Sequence, residues 1–288
     1  MHAIQLPDGR RLTFEEFGDP AGLPTFFFHG TPSSSRIARL LDRSALEGHL
    51  RLIALNRPGM GGSSFQARRR MNQWPGDVAW TADRLSIPRF CVCGHSGGAP
   101  YALACASSLA DRVACAALLG GALPQEVASR AALSAPARST LRQFERPKYR
   151  RALIAGCGWI ASRLWLKTLV EHSAAGLPPS DLAFFRSPGV ADIFAADLRA
   201  ALRGAGRGAA QDHWLVGEPS GIDVKAISCP VSIWYGEADP IAHPDFGPAL
   251  RCAIDGSELY VRPGLGHISL FTVFRDVAAW LTKTARFR

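Results

Sequence analysis

The stretch that decides the fold is Cys91-Val-Cys-Gly94-His95-Ser96-Gly97-Gly98. An apolar run, Arg89–Cys93, leads into it, and a small-residue segment, Ala99–Ala110, leads out of it. The pattern is G-x-S-x-G between a strand and a helix, the context of a nucleophile elbow. Small residues at Gly94 and Gly98 let strand and helix approach without a Cβ clash, and the turn forces the serine into a strained backbone region. The Ser96 oxygen is then expected at the carboxyl edge of a sheet, beside a helix N-terminus that favours developing negative charge.

Working outward, the same strand character recurs. Thr25–Phe28, Leu50–Leu55, Val113–Leu119 and Val231–Tyr235 are short continuous apolar runs, typical of strands buried on both faces. Helical segments are expected between them at Ser35–Arg43, Asp77–Leu85 and Ala99–Ala110. Ala3–Leu6 and Arg11–Phe17 read as a hairpin around Pro7-Asp8-Gly9. A strand at Glu258–Val261 and a helix at Ile268–Lys283 close the chain. Strand and helix alternate, which predicts a parallel α/β sheet. The alternation breaks between 123 and 226, where no comparable strand occurs. That region reads as helices at Gln125–Ser134, Pro136–Gln143, Tyr149–Val170, Pro179–Arg186 and Val190–Arg203. The expected organisation is one core, 1–122 and 227–288, with a helical cap inserted at 123–226.

Composition narrows the partners. The 288 residues carry a net charge of +9. Lysine occurs only at Lys148, Lys167, Lys225 and Lys283, so the positive charge is almost all arginine. It divides into +5 within 123–226 and +4 in the rest. It clusters only at Arg68-Arg69-Arg70 and Arg146–Arg151. A solvated basic surface is expected, and no nucleic acid partner. No run of about 18 apolar residues occurs, so no membrane span is expected. Cys91, Cys93, Cys105 and Cys115 sit in apolar segments and read as buried free thiols. With no cationic start and apolar run in Met1–Phe14, a cytoplasmic protein is expected. No cluster has metal-ligand spacing, and no metal or cofactor is expected.

A serine nucleophile needs a base. His267 is the best candidate, following the flexible loop Pro263-Gly-Leu-Gly266 after the last strand. His243 is a rival, whereas His95 and His29 are expected to be structural. The base needs an orienting carboxylate. Asp239, in Gly236-Glu-Ala-Asp239 past a buried strand, is favoured, with Glu237 as local competitor. The strand ending at Leu119 is followed by Gly120-Gly121, so no acid is available there. An oxyanion hole is expected from the backbone N–H groups of Thr31, in His29-Gly-Thr-Pro32, and Gly97, because Pro32 has no N–H.

Together these motifs, with Arg57-Pro-Gly-Met-Gly61, resemble the α/β-hydrolase fold family in its branch with an H-G-x-P oxyanion loop. The resemblance implies an eight-stranded, mostly parallel sheet with a helical cap after the sixth strand. It implies the triad Ser96, Asp239 and His267, with hole donors Thr31 and Gly97. The sequence departs from the D-R-P-G pattern of many relatives at Asn56, where altered loop hydrogen bonding is expected. Haloalkane dehalogenases and epoxide hydrolases of this fold attack through Asp, so Ser96 argues against both. The expected activity is serine hydrolysis of a carboxylic ester or lactone of a small to medium, largely apolar molecule. C–C bond cleavage, a proline iminopeptidase-like amidase, and a slow-turnover small-molecule receptor remain as alternatives. The cap aromatics Trp159, Trp165, Phe184 and Phe185 are candidates for lining the pocket, beside Trp214 and Phe194. Oligomeric state has no readable signal.

Overall fold

The computed structural model describes residues 1–142 and 177–285. Eight strands form one sheet: β1 (His2–Gln5), β2 (Arg11–Gly18), β3 (Leu23–Phe28), β4 (Leu50–Leu55), β5 (Phe90–His95), β6 (Val113–Leu119), β7 (Val231–Gly236) and β8 (Glu258–Arg262). Their order is β1-β2-β4-β3-β5-β6-β7-β8. β1 and β2 are antiparallel, β2 is antiparallel to β4, and β3 through β8 run parallel. The expected α/β fold with a mostly parallel eight-stranded sheet is therefore the one that forms.

The side-chain pattern explains why. Every residue of β5, β6 and β7 is buried. Only a sheet covered on both faces can use such runs. Successive side chains alternate between two cores. Phe26 and Phe28 pack with Tyr101 and Leu103 on one face, whereas Phe27 packs with Cys91, Trp234 and Phe274 on the other. Cys91, Cys93, Cys105 and Cys115 are buried free thiols. Helices α1 (Asp42–Glu47), α2 (Trp74–Arg84) and α3 (Ala99–Ser108) cross between the strands. Because β3 to β8 point the same way, their carboxyl ends deliver six loops to one edge, where ligands of open α/β sheets bind.

Between β6 and β7 the described residues contain helices and no strand: α4 (Gln125–Ala128), α5 (Ala135–Arg142), α6 (Pro179–Phe185), α7 (Val190–Ala201) and α8 (Arg207–Gly217). α9 (Phe246–Ala253) and α10 (Phe274–Ala285) follow. The expected helix at Tyr149–Val170, with Trp159 and Trp165, lies outside the described residues. Two expectations change. The segment after Gln125 is helical only to Ala128. Helix α8 lies beyond the last helix expected in this region, and Gly204, Gly206 and Gly208 stand at its start. Two of these glycines take positive φ before the helix begins. The third, Gly208, lies inside it, pressed so close to Gly59 that a β-carbon would sit 2.4 Å from that residue's carbonyl. No helix among the described residues is long and apolar enough to cross a membrane.

Candidate active site

Ser96 sits on the turn between β5 and α3 at φ +52. A non-glycine residue held there costs about 1–3 kcal/mol, so the surroundings must impose it. A β-carbon on Gly94 would lie 2.5 Å from the Gly98 carbonyl oxygen, and one on Gly98 would lie 2.0 Å from that of Phe28. Glycine at both positions is what permits the turn. Ser96 opens into a cavity of about 330 Å³, whose wall also includes Thr31, His95, Phe194, His267 and Phe271.

His267 follows β8 and is buried against Asp239, with Nδ1 2.7 Å from Asp239 Oδ2. Asp239 cannot swing away, because its Oδ1 accepts the N–H groups of Ile241 and Ala242, each at 2.8 Å. A carboxylate on Nδ1 makes that nitrogen the proton carrier and leaves Nε2 as the available base. Burial opposes ionisation of His267, yet the negative charges of Asp239 and Asp181 outweigh it and raise its pKa. Gly120, at φ +50, forms the floor of this pair: a β-carbon there would lie 3.2 Å from His267 Nδ1 and 3.4 Å from Asp239 Oδ2. The rivals lie elsewhere. Glu237 is exposed and accepts from Gly264 N, and His243 lies 3.7 Å from Asp245, outside the cavity wall.

His95 packs its ring 4.9 Å from that of His267 and 4.4 Å from that of Phe271. Burial, reinforced by His267, lowers its pKa well below the ordinary histidine value, so it presents a neutral ring to the cavity. Phe184 and Phe185 stand one layer behind the cavity wall. Phe184 packs toward Phe271 and Phe185 toward Phe194, with centroids 6.5 and 5.5 Å apart. Among the described residues, Phe194 and Phe271 are the phenyl rings that line it.

Thr31 and Gly97 are neighbours: a β-carbon on Gly97 would lie 3.4 Å from the Thr31 nitrogen. Gly97 is the second residue of the turn Ser96–Gly98, so its N–H has no partner within that turn. Two backbone donors therefore flank the serine. This geometry agrees with the comparison against known families, in which the alpha/beta hydrolase fold matches residues 25–272. The chain belongs to the α/β-hydrolase fold family.

Solved α/β-hydrolases cover nearly the whole chain at low identity. A thermophilic esterase from Thermogutta terrifontis is 22% identical, with a TM-score of 0.70 over 99% of this chain and 100% of its own. The enol-lactonase from Burkholderia xenovorans LB400 is 18% identical, with a TM-score of 0.72 over 99% and 100%. A carboxylesterase of the thaumarchaeon Nitrososphaera gargenis is also 18% identical, at 0.72 over 100% of both chains. At such identity the likeness establishes the fold. No curated protein matches the sequence significantly.

In this α/β-hydrolase three aspartates that sequence reasoning missed reach from the inserted helices into the loops of the site. Asp212, on α8, is fully buried and accepts from Arg57 Nε (3.0 Å) and Nη2 (2.6 Å), Arg69 Nη2 (2.6 Å), Tyr101 OH (2.7 Å) and Thr31 Oγ1. Arg57 in turn donates to the carbonyls of His29 (2.6 Å) and Gly30 (2.9 Å). The pair thus holds the His29–Thr31 loop from both backbone and side chain. Burial pushes the Asp212 pKa up, but the Arg57 and Arg69 charges prevail and hold it well below the carboxylate range. Asp197, on α7, accepts from Ser33 Oγ (2.7 Å), Ser34 N (2.8 Å), Ser34 Oγ (2.6 Å) and Ile37 N (3.2 Å). Burial pushes its pKa up to about 6, against the pull of those bonds. Asp181, on α6, accepts from the N–H groups of His267 (2.9 Å), Ile268 (3.1 Å) and Ser269 (2.7 Å) and from Ser269 Oγ (2.6 Å).

One signal could have found them. In α7 the stripe Val190, Phe194, Asp197, Leu198, Ala201 follows helical spacing, with a carboxylate in the apolar run. A charged residue on a buried stripe must be paired. The sequence does not say with what.

Asn56 also has its account. Its Oδ1 accepts from Ser35 N at 2.7 Å, and its Nδ2 donates to Thr13 Oγ1 and Ser35 Oγ at 3.0 and 2.9 Å. Because the Ser35 N–H can only donate, the amide orientation is fixed, and both faces of the Asn56 amide are used.

Proposed function

We propose that the protein is a serine hydrolase that cleaves a carboxylic ester or lactone of a small to medium, largely apolar molecule. One observation carries the reading: Ser96, forced to positive φ at the end of β5, shares a cavity with His267, whose Nδ1 is bonded to the doubly anchored Asp239. A hydroxyl sharing a cavity with an imidazole, with a carboxylate behind that ring and two backbone N–H groups alongside, is the set that acyl transfer needs.

Ser96 Oγ attacks the carbonyl carbon while its proton passes to His267 Nε2. The negative charge that develops on the carbonyl oxygen is held by the N–H groups of Thr31 and Gly97, and loss of one such donor costs about 3 kcal/mol. Asp239 stabilises the imidazolium. As the intermediate collapses, the same proton goes to the departing alkoxide, leaving an acyl group on Ser96. His267 then takes a proton from water as that water attacks the acyl carbon; the bond to Ser96 Oγ breaks, His267 returns the proton to Oγ, and the acid leaves. The esterase and lactonase among the structural neighbours support this substrate class.

The cavity supports the size and polarity. At about 330 Å³ it lies at the small end of ligand pockets. Ile37, Phe194, Leu198, Ile241, Ile268 and Phe271 supply an apolar wall. The partner expected is a small molecule, with neither metal nor cofactor taking part.

The test is hydrolysis of short p-nitrophenyl esters and a lactone panel, with fluorophosphonate labelling located by peptide mass spectrometry. Turnover with the label on Ser96 is expected. Saturable ligand binding with neither turnover nor label would replace the enzyme with a receptor. Turnover confined to β-diketones or to prolyl amides would move the reaction to C–C or amide cleavage on the same residues.

A further inference from the structure

A second cavity, of about 560 Å³, lies on the other side of Asp212 from Thr31. Its wall is formed by Arg68, Arg69 and Arg70 together with Met71, Gln211, Trp214 and the turn at Glu218–Gly221. Thr31 belongs to the wall of the Ser96 cavity and Arg69 to the wall of this one, and both bond to the same carboxylate.

Two independent observations point to a ligand. The first is unmet hydrogen bonding. Arg69 is 4% exposed, and Gln211 is also buried. Arg69 Nε and Gln211 Oε1 are each buried without a partner. Such atoms are rare in folded proteins, and each is destabilising if left unpaired. The second is charge. Among the described residues, Arg57 and Arg69 are both ion-paired to the one carboxylate of Asp212, and Asp77 acts on Arg69 only from farther off. Arg68 and Arg70 add exposed positive charge to the same wall; among the described residues Glu218 is the one carboxylate in it, and Glu126 stands behind it, accepting from Ser220 Oγ and Gly221 N. An isolated buried charge is costly unless something pairs with it. A guanidinium with a free Nε edge matches the fork of a carboxylate or phosphate. Met71, Leu215 and Trp214 offer an apolar surface beside it.

We propose that this cavity binds a small organic anion, a carboxylate or phosphate group on an apolar body, with the anion at Arg69 and a donor of the ligand on Gln211 Oε1. Occupancy draws Arg69 toward the ligand and weakens its hold on Asp212. Because Asp212 also anchors Thr31 and Arg57, the anion alters the donors beside Ser96. The coupling rests on the proposed hydrolysis; the binding does not.

The experiment separates the two. Binding is measured by calorimetry on the Ser96→Ala protein, which needs no activity. Phenylacetate and phenyl phosphate are the anionic probes, with benzyl alcohol as the uncharged control. Saturable binding of at least one anion is expected, and the stronger of the two identifies the headgroup. Arg69→Lys keeps the charge but removes Nε, and Arg68→Ala/Arg70→Ala removes the exposed pair. Affinity should fall about tenfold or more in each, roughly the worth of one charge-assisted bond. No saturable binding up to about 10 mM, a range that admits even the weakest specific complexes, overturns the site. So does affinity unchanged in every variant that folds, or equal binding of benzyl alcohol. In the active protein a saturating anion should change kcat/KM for a p-nitrophenyl ester about fivefold or more. The Arg68→Ala/Arg70→Ala protein should keep the basal rate and lose that response. A response that survives in this variant overturns the coupling and leaves the binding result to stand on its own.

Discussion

Ser96 and Asp212 bracket the same loop, yet they are held by different kinds of information. Ser96 is fixed within a few residues: β5 delivers it, Gly94 and Gly98 admit the turn, and α3 continues from it. Asp212 is fixed by partners at residues 31, 57, 69 and 101, brought to it through α8 and the contact of Gly208 with Gly59. The first region carries the proposed chemistry on local geometry. The second carries none, and its work is to hold the first in register. Asp181 and Asp197 repeat the arrangement at the histidine loop and at Ser33–Ile37. Among the described residues, helices α6, α7 and α8 are thus tied to the loops of the site by buried carboxylates at three points.

The sharpest way to test that division is to remove chemistry without structure. Ser96→Ala should lower ester hydrolysis by about 10⁴-fold or more. Its unfolding free energy in urea should move by less than about 1 kcal/mol, since a small polar-to-apolar change at a partly open position is mild. A large loss of stability would show that Ser96 is part of the scaffold, and the contrast would fail. Asp212→Asn should do the reverse. It leaves two buried guanidinium groups without a counter-charge, and breaking such a pair costs about 3–5 kcal/mol. Hydrolysis should fall by less than for Ser96→Ala, on the order of 10²-fold, the size expected when a hole donor is misplaced. Full activity in Asp212→Asn would remove its role in positioning Thr31.

The same contrast explains what could be read from the sequence. The elbow, the His29–Pro32 loop and the order of Ser96, Asp239 and His267 were legible because each sits at a strand end, where type and spacing are set locally. Phe26 and Phe28 against Phe27 announced a sheet buried on both faces for the same reason. The helix α8 was hidden by its glycines. Asp181, Asp197 and Asp212 were hidden because their partners lie 86, 163 and 155 residues away or comparably far. Phe184 and Phe185 were expected at the pocket wall, but hydrophobicity does not say which layer a ring occupies. Phe194 and Phe271 stand in front of them.

A subtler break targets Asp181, which touches the histidine loop through backbone N–H groups and acts on its charge. His267 must be neutral to accept the Ser96 proton, so the rate should fall on acidification through its pKa. That pKa is raised above the ordinary value, after the opposing effect of burial, by Asp239 first and Asp181 second. Asp181→Asn removes one of the two raising charges. The acid limb of kcat/KM should therefore move to lower pH, while the rate on the alkaline plateau changes by less than about tenfold. A variant that loses activity at every pH with its limb unmoved would make Asp181 purely structural.

The smallest expected effect is on stability against pH, and here the two regions have opposite signs. His29 and His95, in the core, are buried and held neutral, chiefly by desolvation, with pKa values well below the ordinary one. The unfolded chain therefore takes up their protons first, and their contribution, full above about pH 6.5, is lost as pH falls below it. His267 runs the other way. Its pKa is raised, so its contribution is complete below about pH 6.5 and is lost as pH rises through the raised value. Asp197, with a pKa pushed up to about 6, binds its proton in the native state before the unfolded chain does, and so adds stability as pH falls from there. Two histidines outweigh one carboxylate. Stability should be greatest near the ordinary histidine value and decline below it, each group bounding the slope at about 1.4 kcal/mol per pH unit. Urea unfolding of the Ser96→Ala protein from pH 8 to 5 measures this without interference from turnover. Asp197→Asn should steepen the acid decline, because it deletes the one group that gains on protonation. A decline equally steep in both proteins would mean that Asp197 stays ionised in the native state down to pH 5, held so by the donors of Ser33, Ser34 and Ile37.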